Sequence, residues 1–347
     1  MSLPSPSDDP IILRSHLAFL DNGNESLEDF IFQTVRAALS RWKVSLAEVD
    51  GIVTASSDGL DGRAISIMVT GASAGVYKKD AINLSSASEH ALFYQVARVR
   101  SGRTKLGLVV AWGKPSEVAL HQIDRISDDP FFMRTVPHDR EANREMQRRA
   151  FLAQTGLSDE DLRPLAGTYA GEVTLADCCI VMLVGPPAAA RYSDFPISVR
   201  GMGVAVQSYW PDENLLRRWP SLQKASTDAA KRAQLTSLRD EIDIFELSSL
   251  TQVQELIAVL ELGLATESEL AAYVRSRAAG EIAVNPSGGL CKSYPDFGSG
   301  LLVVAHACEG LRAVTPRPGR PARALAHGLS GDPAQSHSVF ILEAANA

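Results

Sequence analysis

Cysteine is scarce in this sequence: four residues in 347, two of them adjacent at Cys178 and Cys179. Adjacent cysteines are a poor basis for a disulfide framework, and with no CxxC spacing a structural zinc has no ligand set in this chain. Reduced thiols acting as small buried apolar residues are expected, in a cytoplasmic protein with no metal of its own. Basic charge is also in deficit. A net charge of −7 and a pI near 5.6 exclude the basic stripe of a nucleic-acid binder. No apolar run reaches the roughly 18 residues that span a bilayer, and the polar, acidic start Met1 to Asp9 has no signal-peptide character. Nucleotide fingerprints are missing too. Gly71-Ala-Ser-Ala-Gly75 and Gly201-Met-Gly203 lack the strand, glycine-rich turn and helix with a later acidic residue, and read as turn or close-packing glycines.

What is present is ordinary for a globular protein: 45% hydrophobic and 22% charged residues, in a chain long enough for two domains or one fold built from a duplicated half. Residues 1–10, rich in Ser, Pro and Asp, are expected to be disordered. Helical periodicity runs from Leu27 to Trp42. Ile52 to Ala55 and Ala81 to Leu84 read as short strands, Ala87 to Arg100 as a helix, and Leu106 to Trp112 as a strand buried on both faces. A charged helix spans Asp139 to Gln154, and Leu157 to Glu160 opens another. Strand-like sequence returns at 176–184, then apolar segments follow at 197–206, 242–247, 282–284, 301–308 and 339–342, with a long helix from Leu250 to Leu262. Glu48-Val-Asp-Gly-Ile-Val-Thr-Ala-Ser56 is echoed by Glu241-Ile-Asp-Ile-Phe-Glu-Leu-Ser-Ser249. Each copy is followed by an Asn with small residues behind it, at Asn83 and Asn285. A duplicated βαβ-type half produces such an echo.

The most informative stretch is Asn285-Pro-Ser-Gly-Gly289, followed by Ser293-Tyr294-Pro295 and Gly298-Ser-Gly300. It resembles the C-terminal active-site signature of the thiolase superfamily, an Asn-Pro-x-Gly-Gly run before a Gly-His-Pro. Val99 to Arg103, Leu108 to Glu117, Asp129-Pro-Phe-Phe132, Asp243 to Leu247 and Leu260 to Leu264 are similar to further segments of the sterol-carrier-protein-X type. The resemblance implies a five-layered αβαβα fold with two duplicated halves. Residues 11–195 would form the first, with a loop region at 114–175, and 196–347 the second. Such chains pair as dimers, through an edge strand near Ala81 to Leu84.

The departures bear on chemistry. Thiolases need a thiolate whose pKa is lowered at a helix N-terminus, and a His to activate it. Here the nucleophile position aligns with Ser86, a following Gly is Glu89, the His is Tyr294, and the residue after the second-half strand is Ser248 or Ser249. Ordinary cysteine-dependent Claisen chemistry is therefore not expected. Ser86 reads as a serine nucleophile or, with Glu89, as an S-x-x-E capping box. Tyr294 reads as a proton-transfer residue or as a filler for the cavity left by the missing pair. His327, and with it His337, would orient a carbonyl or act as base, or serve as ordinary hydrogen-bonding residues. Asn285 would shape an oxyanion region or only a turn. Arg140, Arg144 and Arg148 recur at near-helical spacing and would grip coenzyme A phosphates with Gly288 and Gly289 nearby, or form a solvated face of i,i+4 pairs.

One branch that the chain resembles has lost the cysteines and splits β-hydroxyacyl-CoA by a retro-aldol reaction using tyrosines. The resemblance thus implies carbon–carbon cleavage of an acyl-CoA, with Tyr294, His327, Asn285 and Ser86 at the site. It also implies a small zinc-ribbon/OB-fold partner protein. The other expectation is a non-catalytic subunit that pairs with a cysteine-bearing thiolase-like chain.

Overall fold

The computed structural model describes residues 9–20, 24–136, 139–169, 173–208, 210 and 213–345. Nine strands form one sheet in the order β3-β2-β4-β5-β1-β6-β9-β8-β7. They are β1 (Ile11–Leu20), β2 (Gly51–Ala55), β3 (Asp80–Leu84), β4 (Gly107–Gly113), β5 (Asp177–Gly185), β6 (Ile197–Val206), β7 (Ile244–Leu247), β8 (Arg323–Ser330) and β9 (Ser336–Ala344). The first five are contiguous in the sheet, as are the last four. The two groups meet only where Ile11 and Ile12 pair with Ser198 and Ile197. β2, β3 and β4 run parallel, as do β7 and β8, while β5 and β9 return antiparallel beside β4 and β8. The order β2-β4-β5-β1 recurs as β7-β8-β9-β6, which is the structural form of the sequence echo.

Helices flank the strands and the cleft, among them α1 (Leu27–Trp42), α2 (Ser88–Arg100), α3 (Leu120–Ser127), α4 (Arg140–Thr155), α5 (Pro220–Ala233), α6 (Gln252–Glu261) and α7 (Ser299–Ala313). Strand side chains alternate between two cores, as the period of two requires. In the first group Val53, Ala55, Val109 and Ala111 point to the middle of the molecule, onto α2 and α7. Their neighbours Ile52, Leu108 and Val110 point outward onto α1. In the second group Ala324, Ala326, Phe340 and Leu342 reach the same middle helices. Leu325, Val339 and Ile341 face α5 and α6. The layers are therefore helix, sheet, helix, sheet, helix. Buried apolar residues lie all round α7, as expected for a helix enclosed between two sheet layers.

Local signals explain the helix ends. Ser26 caps α1 by accepting from the Asp29 amide at 3.1 Å, and Lys43 ends it in the left-handed region. Asp139 caps α4, so the charged helix starts one residue later than its acidic opening. Asp9 and Pro10 depart from the expectation of disorder, whereas residues 1–8 lie outside the described residues. Asp9 is buried between Arg100 and Arg200 at 2.9 and 2.6 Å, and the Pro10 carbonyl accepts from the Val199 amide. The segment 282–284 makes only an isolated bridge, Val284 to Phe245. Among the described residues no helix is long and apolar enough to cross a membrane.

Gly201 and Gly203 are close-packing glycines. A Cβ on Gly203 would lie 1.9 Å from the Ala225 carbonyl, and one on Gly201 2.1 Å from that of Ala229. The facing side chains of α5, Ala225, Ala229 and Ala233, recur every four residues, so backbone meets backbone. Gly203→Ala has to push the whole helix off the sheet. We expect a loss of about 1–3 kcal/mol, read as a lower denaturant midpoint at unchanged slope.

Candidate active site

The parallel strands of both groups open toward a cleft of about 680 Å³. Ligands bind in this type of fold outside the carboxyl ends of parallel strands. The loop after β3 contributes Ser85, Ser86 and Ala87, the exit of β7 Ser248 and Leu250, and the end of β8 with the loop that follows Leu329 to Pro333. α3 and the first turn of α4 close the remaining side.

Tyr294 lines this cleft. Its backbone is pinned from both sides, the amide donating to the Thr174 carbonyl at 2.8 Å and the carbonyl accepting from Ala176 at 3.1 Å. Pro295 next to it presses its carbonyl against the end of β4, where Gly113 leaves room. The following residue, Asp296, sits in the left-handed region at φ 53°. Its carboxylate meets Arg140 at 2.6 Å, and Arg140 also reaches Asp124 at 2.5 Å and the Tyr294 hydroxyl at 3.5 Å. Burial works against the Arg140 charge, but Asp296 and Asp124 outweigh it and hold the guanidinium charged. Burial pushes the Tyr294 phenol well above the ordinary tyrosine value, with Asp296 adding to the effect and Arg140 opposing it. At neutral pH Tyr294 is a proton donor, not a tyrosinate.

Ser86 does not cap a helix. Ala87 is the cap of α2 and supplies no side-chain bond. The Ser86 hydroxyl lies instead 2.8 Å from Nδ1 of His90, one helical turn along. That pairing replaces the capping box expected from S-x-x-E and leaves Glu89 free to turn inward.

Asn285 sits beneath the cleft rather than in its lining. Its Oδ1 accepts from the Leu247 amide at 2.6 Å and its Nδ2 donates to Ser249 at 3.3 Å, tying the exit of β7. Asn83 does the matching job in the first group, accepting from Thr54 at 2.7 Å and Ser56 at 3.1 Å. The amide expected at an oxyanion is thus committed to the scaffold. Gly288 and Gly289 adopt positive φ and do not line the cleft either.

His327 is a second correction. On β8 it shares a face with Leu325, away from the cleft, while Gly328 faces the centre. It is fully buried, its Nε2 2.9 Å from His337 Nδ1, with the two rings stacked and Trp219 packed against His337. Burial lowers His327 to about 3, and burial together with the neighbouring His327 holds His337 well below the ordinary histidine value. Of the three arginines, Arg144 lines the cleft, Arg140 is engaged by two aspartates, and Arg148 pairs with Asp159 and Glu145 on the outer side of α4. The sequence gives no sign of Asp332 in the β8–β9 loop as a cleft residue. It accepts from Asn143, and burial raises its carboxyl.

Buried groups of opposite sign set the pH response of stability. Glu246 on β7 receives the Ser287 amide and hydroxyl at 3.1 and 2.8 Å, yet burial raises it to about 7. From pH 7 to 5 the folded chain therefore takes up a proton there that the unfolded chain does not, which stabilises the fold on acidification. His327 and His337 act oppositely: below pH 6.5 the unfolded chain protonates them and the folded chain does not. Glu246→Gln removes the opposing contribution. Its stability should fall more steeply than wild type between pH 7 and 5, by about 1 kcal/mol per pH unit. Urea titrations at the two pH values check this, and equal slopes would contradict it.

Comparison with known proteins agrees with this geometry. Residues 207–344 match the family described as thiolase C-terminal domain-like. Over 97% of this chain and 98% of the other, the fold is similar to a solved structure named Ltp2-ChsH2(DUF35) aldolase, with 15% identity and a TM-score of 0.76. It is also similar to a monomeric SCP2-thiolase-like protein type 1 from Mycobacterium smegmatis. That likeness has 16% identity and a TM-score of 0.67, over the whole of this chain and 79% of that one. No curated protein matches. The chain is a thiolase-like α/β protein in fold throughout. The family match is confined to its C-terminal part, and over the whole chain the likeness to an SCP2-thiolase-like structure is one of fold.

Proposed function

We propose that the protein is a lyase that cleaves a β-hydroxyacyl-CoA by a retro-aldol step without a covalent intermediate. The observation that carries this is Tyr294. A protonated phenol, held beside a fixed guanidinium, projects into the cleft where the sequence places a thiolase's catalytic His. Claisen chemistry has no cysteine available at this cleft: Cys178, Cys179 and Cys308 are buried in the core, and Cys291 donates toward the Leu250 carbonyl.

Retro-aldol cleavage needs no nucleophile. A base removes the β-hydroxyl proton, the Cα–Cβ electrons move to the thioester as an enolate, and an acid delivers a proton to Cα. Tyr294, protonated and lining the cleft, fits the acid. The likeness to an aldolase supports the same reading.

Coenzyme A as the acyl carrier is part of the proposal. Arg144 is the cleft cation not held between two aspartates, so the phosphates need help from elsewhere. We propose that a small zinc-ribbon/OB-fold partner supplies it, in keeping with the Ltp2-ChsH2(DUF35) pairing of the similar structure. The test is turnover of 3-hydroxy-3-methylbutanoyl-CoA by the full chain, with and without such a partner. Acetone and acetyl-CoA in equal amounts are expected. An intact substrate, or release of free coenzyme A alone, would overturn the reading.

A further inference from the structure

The retro-aldol reading leaves its base unassigned, and any assignment of that base rests on the reading itself. Tyr294 is protonated, His327 faces away, and the Ser86–His90 pair holds a buried Nε2 with no partner for a developing imidazolium. One buried carboxylate in the cleft wall is unaccounted for.

We infer that Glu89 is the general base that takes the β-hydroxyl proton. Glu89 is 2% exposed, in the first turn of α2, and lines the cleft. Its carboxylate lies between the two sheet layers in a slot from which two other elements have removed their side chains. A Cβ at Gly300 of α7 would sit 1.9 Å from Oε2, and one at Gly328 of β8 would sit 2.4 Å from Oε1. The acid is held from one side. Ser338 donates to Oε1 at 2.5 Å, while Ser88 lies at the 3.5 Å limit from Oε2 and also accepts from the Leu301 amide. Among the described residues no Lys or Arg forms an ion pair with it. A carboxylate buried without a cation works against the fold.

Oε2 therefore retains a lone pair for substrate. In the forward direction it accepts the hydroxyl proton as the Cβ–O bond becomes a carbonyl and the Cα–Cβ bond breaks. Tyr294 protonates Cα, and the proton on Glu89 then returns to the tyrosinate through cleft water. No oxidant, reductant or added water is consumed.

The experiment is cleavage of 3-hydroxy-3-methylbutanoyl-CoA by the full chain carrying Glu89→Gly, with and without formate. Glu89 sits in ordinary helical backbone that glycine also adopts, and the emptied slot admits a small carboxylate. Glu89→Gly is expected to cleave about 10²–10⁴-fold more slowly than wild type. Formate is expected to restore about tenfold or more, and to do nothing for the isosteric Glu89→Gln. Wild-type rates in either variant would overturn the assignment while leaving the lyase reading intact. So would a folded Glu89→Gly that is inactive and unmoved by formate, since that marks a structural role. Failure of the wild-type chain to cleave the probe would instead defeat the lyase reading itself.

Discussion

Tyr294→Phe is expected to lower the cleavage rate by about 10²–10⁴-fold while leaving thermal stability almost unchanged. The two readouts separate because the residue has two parts. Its ring packs against the central apolar core formed by α2 and α7, and phenylalanine retains that contact. Its hydroxyl makes one long contact, 3.5 Å to Arg140, so little folding energy depends on it. If Tyr294 only fills the space of a missing His, the variant will turn over at the wild-type rate. Because the acid acts on the enolate, the loss should fall on kcat and spare KM. Steady-state kinetics with a melting curve on the same preparation decides it.

Glu255→Ala is expected to cost about 3–5 kcal/mol and to lower activity as well. Glu255 on α6 is fully buried. It accepts from Tyr169 at 2.5 Å and Tyr273 at 3.0 Å, and Arg277 stands 3.4 Å away. Truncation leaves a buried phenol, a half-buried one and a guanidinium without this acceptor, and each lost partner carries a desolvation penalty. The damage reaches the cleft because Tyr169 also bonds Ser249 at 2.8 Å, the hydroxyl that Asn285 holds. Glu255→Gln keeps an amide oxygen for one phenol and should lose markedly less. Urea unfolding of the two variants against wild type gives the comparison. Equal stability of all three would show that the network is not what fixes the floor of the site.

Much of the scaffold is legible in the residues, for identifiable reasons. The helix at Leu27–Trp42 and the strand at Ile197–Val206 appear with the expected bounds, because each has a periodicity that only one element satisfies. The echo between Glu48–Ser56 and Glu241–Ser249 has physical content, since both copies end on a Ser clamped by an Asn from the neighbouring segment. The apolar run at 301–308 carries no such pattern. It is helical inside Ser299–Ala313 and buried on every side, so helix and strand leave the same signature in sequence. β1 and β8 interleave polar residues with apolar ones and present no continuous apolar run to mark them.

The site is less legible than the fold, and the differences share a cause. Spacing tells which residue types are near one another, but the pleat tells which face they occupy. His327 and Gly328 are consecutive, yet one stacks with His337 in the outer core and the other borders Glu89 at the centre. S-x-x-E predicts a reciprocal cap, and such caps form at Ser45 with Glu48 and at Thr266 with Glu269. At Ser86 the same letters do otherwise, because His90 competes for the hydroxyl and two distant glycines open a slot for Glu89. Only the tertiary arrangement brings Gly300 and Gly328 to that carboxylate.

The central claim is that carbon–carbon bond cleavage occurs with proton delivery to Cα. The most direct measurement is mass spectrometry of the acyl-CoA product after turnover of 3-hydroxy-3-methylbutanoyl-CoA in deuterium oxide. The account predicts acetyl-CoA carrying a single deuterium on its methyl group at early times, with an equal amount of acetone. Free coenzyme A together with the undivided five-carbon acid, or recovery of unchanged substrate, would contradict it.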